Sequence, residues 1–384
     1  MMRFLMLCLM LCFLPLTPIT AAADAISMPA NLLLSPSDDN PRNSEGDFIE
    51  LKDGRVLFVY THFTGGAGDH ATAHLAGRFS SDGGATWDTE DTVIIPYSGG
   101  RNIMSVSLLR LQDGSIALLY LNKVEVDECI PMFLRSTDEA KTWSAPVACI
   151  TDPLGYYVVN NDRLVQLASG RLLIPAARHV LKGQEGFHPG QALCAISDDN
   201  GQTWRLSDSL LSLPESVRSG LQEPLVLELQ DGRVLMLCRT SDGAQYRSIS
   251  TDGGVTWSEP ARTNLLSPTS PATVERIPGR DDLLLVWNDH TDVDESRRGK
   301  RTPLRAALSK DDGRTWHVVK TLEDLADGWY CYIAMDFIGD QVLLGYCAGD
   351  RRVENGLQTT KVTRVPLEEL YAGCDAGRVI EEEF

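Results

Sequence analysis

Five residues with reactive or hydrogen-bonding side chains share one register of a repeated hairpin. Glu45, Ser105, Asn161, Glu223 and Tyr332 each lie eight residues before a turn residue, namely Asp53, Asp113, Ser169, Asp231 and Asp340. Residues in one register of equivalent strands project to equivalent places. If those strands begin around one opening, five polar or polar-tipped side chains from distant sequence converge there. Polar groups gathered at one mouth suit a ligand site, because a core would leave them without partners. More chemistry lies nearby in sequence. Asp69 sits among Gly65, Gly66 and Gly68, followed by His70 and His74. That trio invites a metal, but nothing completes a ligand set. Arg239 ends a hairpin in LCRTSDGAQYR, and Arg301 lies in KRTPLRAALSKDDGRTW. A guanidinium fork holds a carboxylate through two parallel bonds. Arg42, in NPRNSEGDF, is the arginine nearest Glu45, and Asn161 and Arg163 stand together in NNDR. Each has an ordinary reading too: a turn Asp, a solvated Arg, a packing Tyr.

The elements that must position these groups are hairpins. FIELKDGRVLFVY (48–60), LLRLQDGSIALLY (108–120), LVQLASGRLLIPA (164–176), LVLELQDGRVLMLC (225–238), VERIPGRDDLLLVW (274–287) and MDFIGDQVLLGY (335–346) repeat at about 60 residues. Asp-Gly between alternating apolar runs is a strong hairpin signal. Five of the six are followed by a second pattern, S-x-D-x-G-x-T-W: SSDGGATW from Ser80, STDEAKTW from Ser136, SDDNGQTW from Ser197, STDGGVTW from Ser250 and SKDDGRTW from Ser309. Asp can bond its own backbone two residues on, Gly tolerates positive φ, and Trp pins the turn to a sheet. The sixth hairpin is followed by a closing segment, Leu357–Pro366. Six units of about four strands predict an all-β chain, a six-bladed β-propeller. The period is too long for a β-helix and too regular for a sandwich. Short helical stretches are expected only near Leu322–Ala326 and Leu367–Tyr371.

The first 23 residues carry one Arg, a long apolar run and then small residues. They read as a secretory signal peptide, with 24–384 as one exported domain. Pro15 and Pro18 break the run and argue against a membrane anchor. The net charge of −18 disfavours nucleic acid and acidic membranes as partners. Seven cysteines follow the leader, in no zinc-site spacing. Several sit in apolar strands as buried thiols, with one or two disulfides open to an exported chain. A closed array needs no partner to shield its edges, so a monomer is expected.

The S-x-D-x-G-x-T-W copies resemble the Asp boxes of the sialidase superfamily, and the resemblance covers about residues 40–366. It implies a glycan ending in an acidic sugar as substrate, and no metal or organic cofactor. Members use a Tyr nucleophile paired with a Glu, an Asp acid/base, and three Arg residues on the sugar carboxylate. The resemblance implies Tyr332, in GWYCYIAMDF, as nucleophile, with Tyr330 its nearest rival. It implies Glu223, in GLQEP, as the activating Glu and Asp69 as acid/base. It implies Arg239 and Arg301 as the second and third arginines. The family's Arg-Ile-Pro is absent; Arg42 is the candidate for the first arginine, and Glu45 beside it is an added carboxylate. Asn161 and Arg163 are substrate-contact candidates. A non-catalytic glycan- or protein-binding propeller is the alternative, since Asp boxes alone report fold.

Overall fold

The computed structural model of the protein describes residues 25–382, apart from 187, 354, 375 and 376. The expected leader lies outside the described residues. Alternating apolar residues around each Asp-Gly turn fold as antiparallel hairpins. In the first unit, Arg42–Glu50 pairs with Val56–Phe63. Their turn closes by a 2.8 Å bond from Leu51 N to Arg55 O, with Gly54 at φ +83°.

Among the described residues the strands form five sheets. The first unit is a four-stranded sheet continued by Ala73–Ser80 and Thr92–Ile95. The second and third units share a nine-stranded sheet, because Gly155–Val158 pairs in parallel with Glu128–Ser136 through Tyr156 and Cys129. The fourth unit runs Gln222–Glu228, Val234–Arg239, Ala244–Ser250 and Ala261–Leu266. The fifth starts at Thr273–Arg276 and gains Val379–Glu381, near the C-terminus, as an extra strand. The sixth is Gly328–Ile338, Gln341–Asp350 and Thr360–Pro366. Its fourth strand comes from the other end of the chain: Leu32–Leu34 pairs with Thr360–Pro366, Leu32 opposite Val362. A buried cluster reinforces this join. Lys361 Nζ donates to Glu323 Oε1 (2.6 Å) and Ser27 Oγ (3.1 Å), and Tyr346 OH donates to the same Glu323 oxygen (2.8 Å).

The apolar core lies between neighbouring sheets. Ile49, Leu57 and Leu75 of the first unit pack with Ile103, Val106 and Leu118 of the second. Phe48 and Phe58 face Ala334 and Leu343 of the sixth. Each of the larger buried side chains, the Phe, Leu, Ile and Val residues, contributes about 1.5–3 kcal/mol. Every S-x-D-x-G-x-T-W copy makes one bond pattern. In the first, Gly84 N donates to Ser80 Oγ (2.8 Å), and Thr86 donates N–H to Asp82 Oδ1 (2.8 Å) and O–H to Oδ2 (2.6 Å). The second copy replaces its glycine with Ala140, which still adopts φ +61°. Of the two expected helical stretches, Leu367–Ala372 is helical. Leu322 instead lies in the strand Thr315–Glu323, its side chain buried with Leu304 and Leu308.

Candidate active site

The shared register has a structural cause. Strand pairing shifts between Ser44 and Asp47, between Met104 and Ser107, between Gln222 and Leu225, and between Cys331 and Ala334. Within each shift one residue is left-handed: Glu45 (φ 53°), Ser105 (59°), Glu223 (44°) and Tyr332 (58°). Such a bulge turns a side chain out of the pleat and re-aims it. The third unit departs from the rule. There Asp162, one residue after Asn161, is left-handed at φ 56°. Its N–H bonds Val106 O at 2.9 Å, and its carboxylate accepts from Met335 N at 3.0 Å.

Asn161 and Arg163 are held by the protein itself. The Asn161 amide donates to Gly46 O (2.8 Å) and Tyr332 O (3.1 Å), tying the first and sixth units together. Arg163 is 2% exposed and donates to Asp162 O (2.8 Å) and Ala272 O (2.9 Å). Asn161 Oδ1 and Arg163 Nε are left without partners among the described residues.

The other six predicted site residues come together. Arg239 Nη1 donates to Glu223 Oε2 at 2.7 Å, and its Nε and Nη2 hold Gln222 Oε1. Arg301 lies between two rings, with its guanidinium carbon 5.2 Å from the Tyr332 centroid and 5.3 Å from that of Trp329. Its Nε and Nη1 are buried with no acceptor among the described residues. Arg42 is buried, lies 4.5 Å over the Phe63 ring, and reaches Asp69 Oδ1 through Nη1 at 2.5 Å. Its Nη2 is 3.6 Å from Glu45 Oε2. Arg42 thus reaches the mouth without an Arg-Ile-Pro motif. His74 turns away to stack on His62, 4.6 Å between centroids, so it does not join Asp69. A cleft of about 310 Å³ opens beside the cluster, lined by Tyr156, Val158, His179, Gln222, Glu223 and Arg239 among others.

Electrostatics separates the titratable groups. Burial, and then Glu223, push the Tyr332 phenol up, so it is neutral at physiological pH. Surrounding protein disfavours charge on Asp69, but Arg42 outweighs that and holds its pKa down. Glu45 is pushed up to about 7 by burial, which Arg42 only partly offsets.

Sequence reasoning missed Lys123. Its ammonium donates to Asp69 O at 2.8 Å, and Asn102 donates to Asp69 O and Ala71 O, both at 2.9 Å. These two residues of the second unit hold the Asp69 loop. Their one signal was polarity at the mouth ends of otherwise apolar strands, where Asn102 pairs with Lys123. Trp329 was also missed, since an aromatic within a strand reads as packing.

The model of the BNR repeat-like domain family matches residues 63–342. The protein belongs to this family, within the sialidase superfamily. A sialidase of Micromonospora viridifaciens is 28% identical over 328 residues, which is 72% of this chain and 47% of that one. The chain therefore spans about half the length of that curated relative. Among solved structures, a Dyadobacter fermentans protein of unknown function aligns with TM-score 0.69 at 20% identity, over 88% of this chain and 98% of that one. A leech intramolecular trans-sialidase aligns with TM-score 0.67 at 15% identity, over 92% and 71%. At those identities the likeness concerns the fold, which is all-β and propeller-like.

This BNR repeat-like chain has a second cavity, of about 340 Å³, lined by the buried stretches of the inner strands. Asp47, Asp162, Glu275 and Asp336 all face it, with Arg163 among them. Burial raises all four carboxyls, Asp336 to about 7. Asp47 is held by the backbone N–H groups of Phe48 and Leu108, both at 2.7 Å. These groups cross-link units and are separate from the Tyr332 cluster. Among the described residues Cys129, Cys149, Cys194, Cys238, Cys331 and Cys347 are buried free thiols, so the disulfides left open above do not form among them.

Proposed function

We propose that this protein is an exported, retaining glycoside hydrolase of exo-α-sialidase type. It releases a terminal sialic acid, or a related acidic sugar, from glycoconjugates. The observation that carries this reading is that Nε and Nη1 of the Arg301 guanidinium, beside Tyr332, have no acceptor among the described residues. Buried N–H donors without acceptors are costly, and an incoming carboxylate would satisfy them. Arg42 and Arg239 extend the same anion site. In this reading, attack comes from the Tyr332 phenol as its proton passes toward Glu223. A neutral nucleophile avoids repulsion from the sugar carboxylate. Asp69 protonates the leaving oxygen and then, as base, activates the water that frees the sugar. Its proton follows from competition. A substrate carboxylate at Arg42 draws that guanidinium from Asp69, and the carboxyl that Arg42 held low rises.

We further infer a six-bladed propeller in residues 24–384, monomeric, following a signal peptide at 1–23. Contacts of the first inner strand, Arg42–Glu50, with the inner strands of the second and sixth units, and pairing of the N-terminal strand into the sixth unit, support closure. A non-catalytic propeller would have no use for a buried Tyr–Arg–Glu cluster of this kind. The test is fluorescence release from a 4-methylumbelliferyl α-sialoside by wild type, Tyr332→Phe and Asp69→Ala. Release by wild type that falls at least about 100-fold in Tyr332→Phe supports the reading. Undiminished turnover in both variants removes these roles, and no release by wild type turns the reading to another acidic sugar. Glu45 is the observation that favours such a sugar.

A further inference from the structure

Resting on the acidic-sugar reading, Glu45 is a carboxylate standing where the substrate's own carboxylate would enter. It is 7% exposed, and its Oε2 is buried without a hydrogen-bond partner among the described residues. The left-handed bulge fixes its direction. The groups facing it come from several elements: Arg42 on its own strand, Asp69 on the following loop, Lys123 of the second unit and Glu223 of the fourth. The Cys129 thiol and Tyr156 phenol share the same field. Lys123 spends its ammonium on Asp69 O, and Arg239 is paired with Glu223. Arg42 is the one guanidinium within ion-pair range of both Glu45 and Asp69, with the Lys123 ammonium adding attraction from farther off. A substrate carboxylate at Arg42 would be the third acid on one guanidinium. Like charges that close do not all ionise.

We propose that Glu45 is a specificity-determining residue that admits an acidic sugar only as the neutral carboxylic acid. Its O–H then donates to the incoming carboxylate, and binding takes up one proton from solvent. Ionised Glu45 repels the same ligand, so the site is open in mildly acidic solution and closes as pH rises. Because Glu45 is raised to about 7, the transition falls near neutrality.

The experiment is calorimetric titration of the full mature chain with 2-deoxy-2,3-dehydro-N-acetylneuraminic acid, whose carboxylate stays ionised, between pH 6 and 9. Wild type, Glu45→Gln and Glu45→Ala are compared. The expected wild-type affinity falls as pH rises above about 7, approaching tenfold per pH unit beyond about pH 8, with uptake of about half a proton at about pH 7 rising toward one at about pH 9. Either variant is expected to lose the part of the slope and of the uptake that Glu45 supplies, leaving only what Asp69 takes up as Arg42 is drawn from it, and the pair guards against one substitution that misfolds. A flat wild-type profile overturns the inference, as does the same slope in both variants. Absence of binding by wild type and both variants at pH 6 overturns the acidic-sugar reading, and the inference with it.

Discussion

Lys361→Met tests how the two ends of the chain are joined. The lysine ammonium and the Tyr346 hydroxyl meet on one oxygen of Glu323, which is 1% exposed. Methionine keeps most of the lysine stem, so little packing is lost. What changes is that Glu323 keeps its charge in a dry site with one donor instead of two. Removing one partner of a buried ion pair costs about 3–5 kcal/mol, mostly from the charge left behind. The lost bond to Ser27 Oγ also loosens the segment that leads to Leu32–Leu34. Urea unfolding reads the effect as a lower midpoint at unchanged m value. Adding Glu323→Gln removes the stranded charge and is expected to recover at least about half of the loss. A single-variant cost below about 1 kcal/mol, or a double variant equal to the sum of its parts, would refute the reasoning.

Asp336 predicts a pH dependence of stability. Its folded carboxyl is raised to about 7 by burial, against the bond from Phe337 N. Its contribution is full below the unfolded carboxylate range and is lost as pH rises through about 7. Asp336→Asn is expected to flatten the decline in melting temperature between pH 5 and 8, and an unchanged decline would exclude Asp336 as its source. Arg301→Lys retains a charge but not the planar fork stacked between Tyr332 and Trp329. KM for an acidic glycoside should rise about tenfold or more, and an unaltered KM would show that Arg301 does not hold the acid.

Much of this architecture was legible in the chain because the repeats are chemical as well as numerical. Asp-Gly turns fixed where each hairpin reverses, and counting back from them found Glu45, Ser105, Glu223 and Tyr332. The count missed by one at Asp162, because the third unit pairs through only Val165–Gln166 and its bulge falls elsewhere. The structural employment of Asn161 and Arg163 was not legible. A polar side chain at a mouth and one that ties strands across an axis are the same letters in a sequence. The pairing of Leu32–Leu34 with the last unit was equally hidden, since three leucines carry no partner in their pattern. Lys123 escaped because its target is a backbone carbonyl, Asp69 O, which any residue could offer.

The left-handed bulges have a consequence for how such a protein can change. A non-glycine residue in that conformation costs about 1–3 kcal/mol, largely whatever its side chain. Ordinary strand pairing resumes just beyond each one, at Asp47, Ser107, Leu225 and Ala334. The side chain at each bulge is therefore uncoupled from the apolar layers on either side. Glu45, Ser105, Glu223 and Tyr332 occupy sockets of one design, filled with different chemistry. Exchanging the occupant rewrites the mouth while the scaffold has little to repack. A lineage built on these repeats can move between substrates by single substitutions at positions its architecture already holds in reserve.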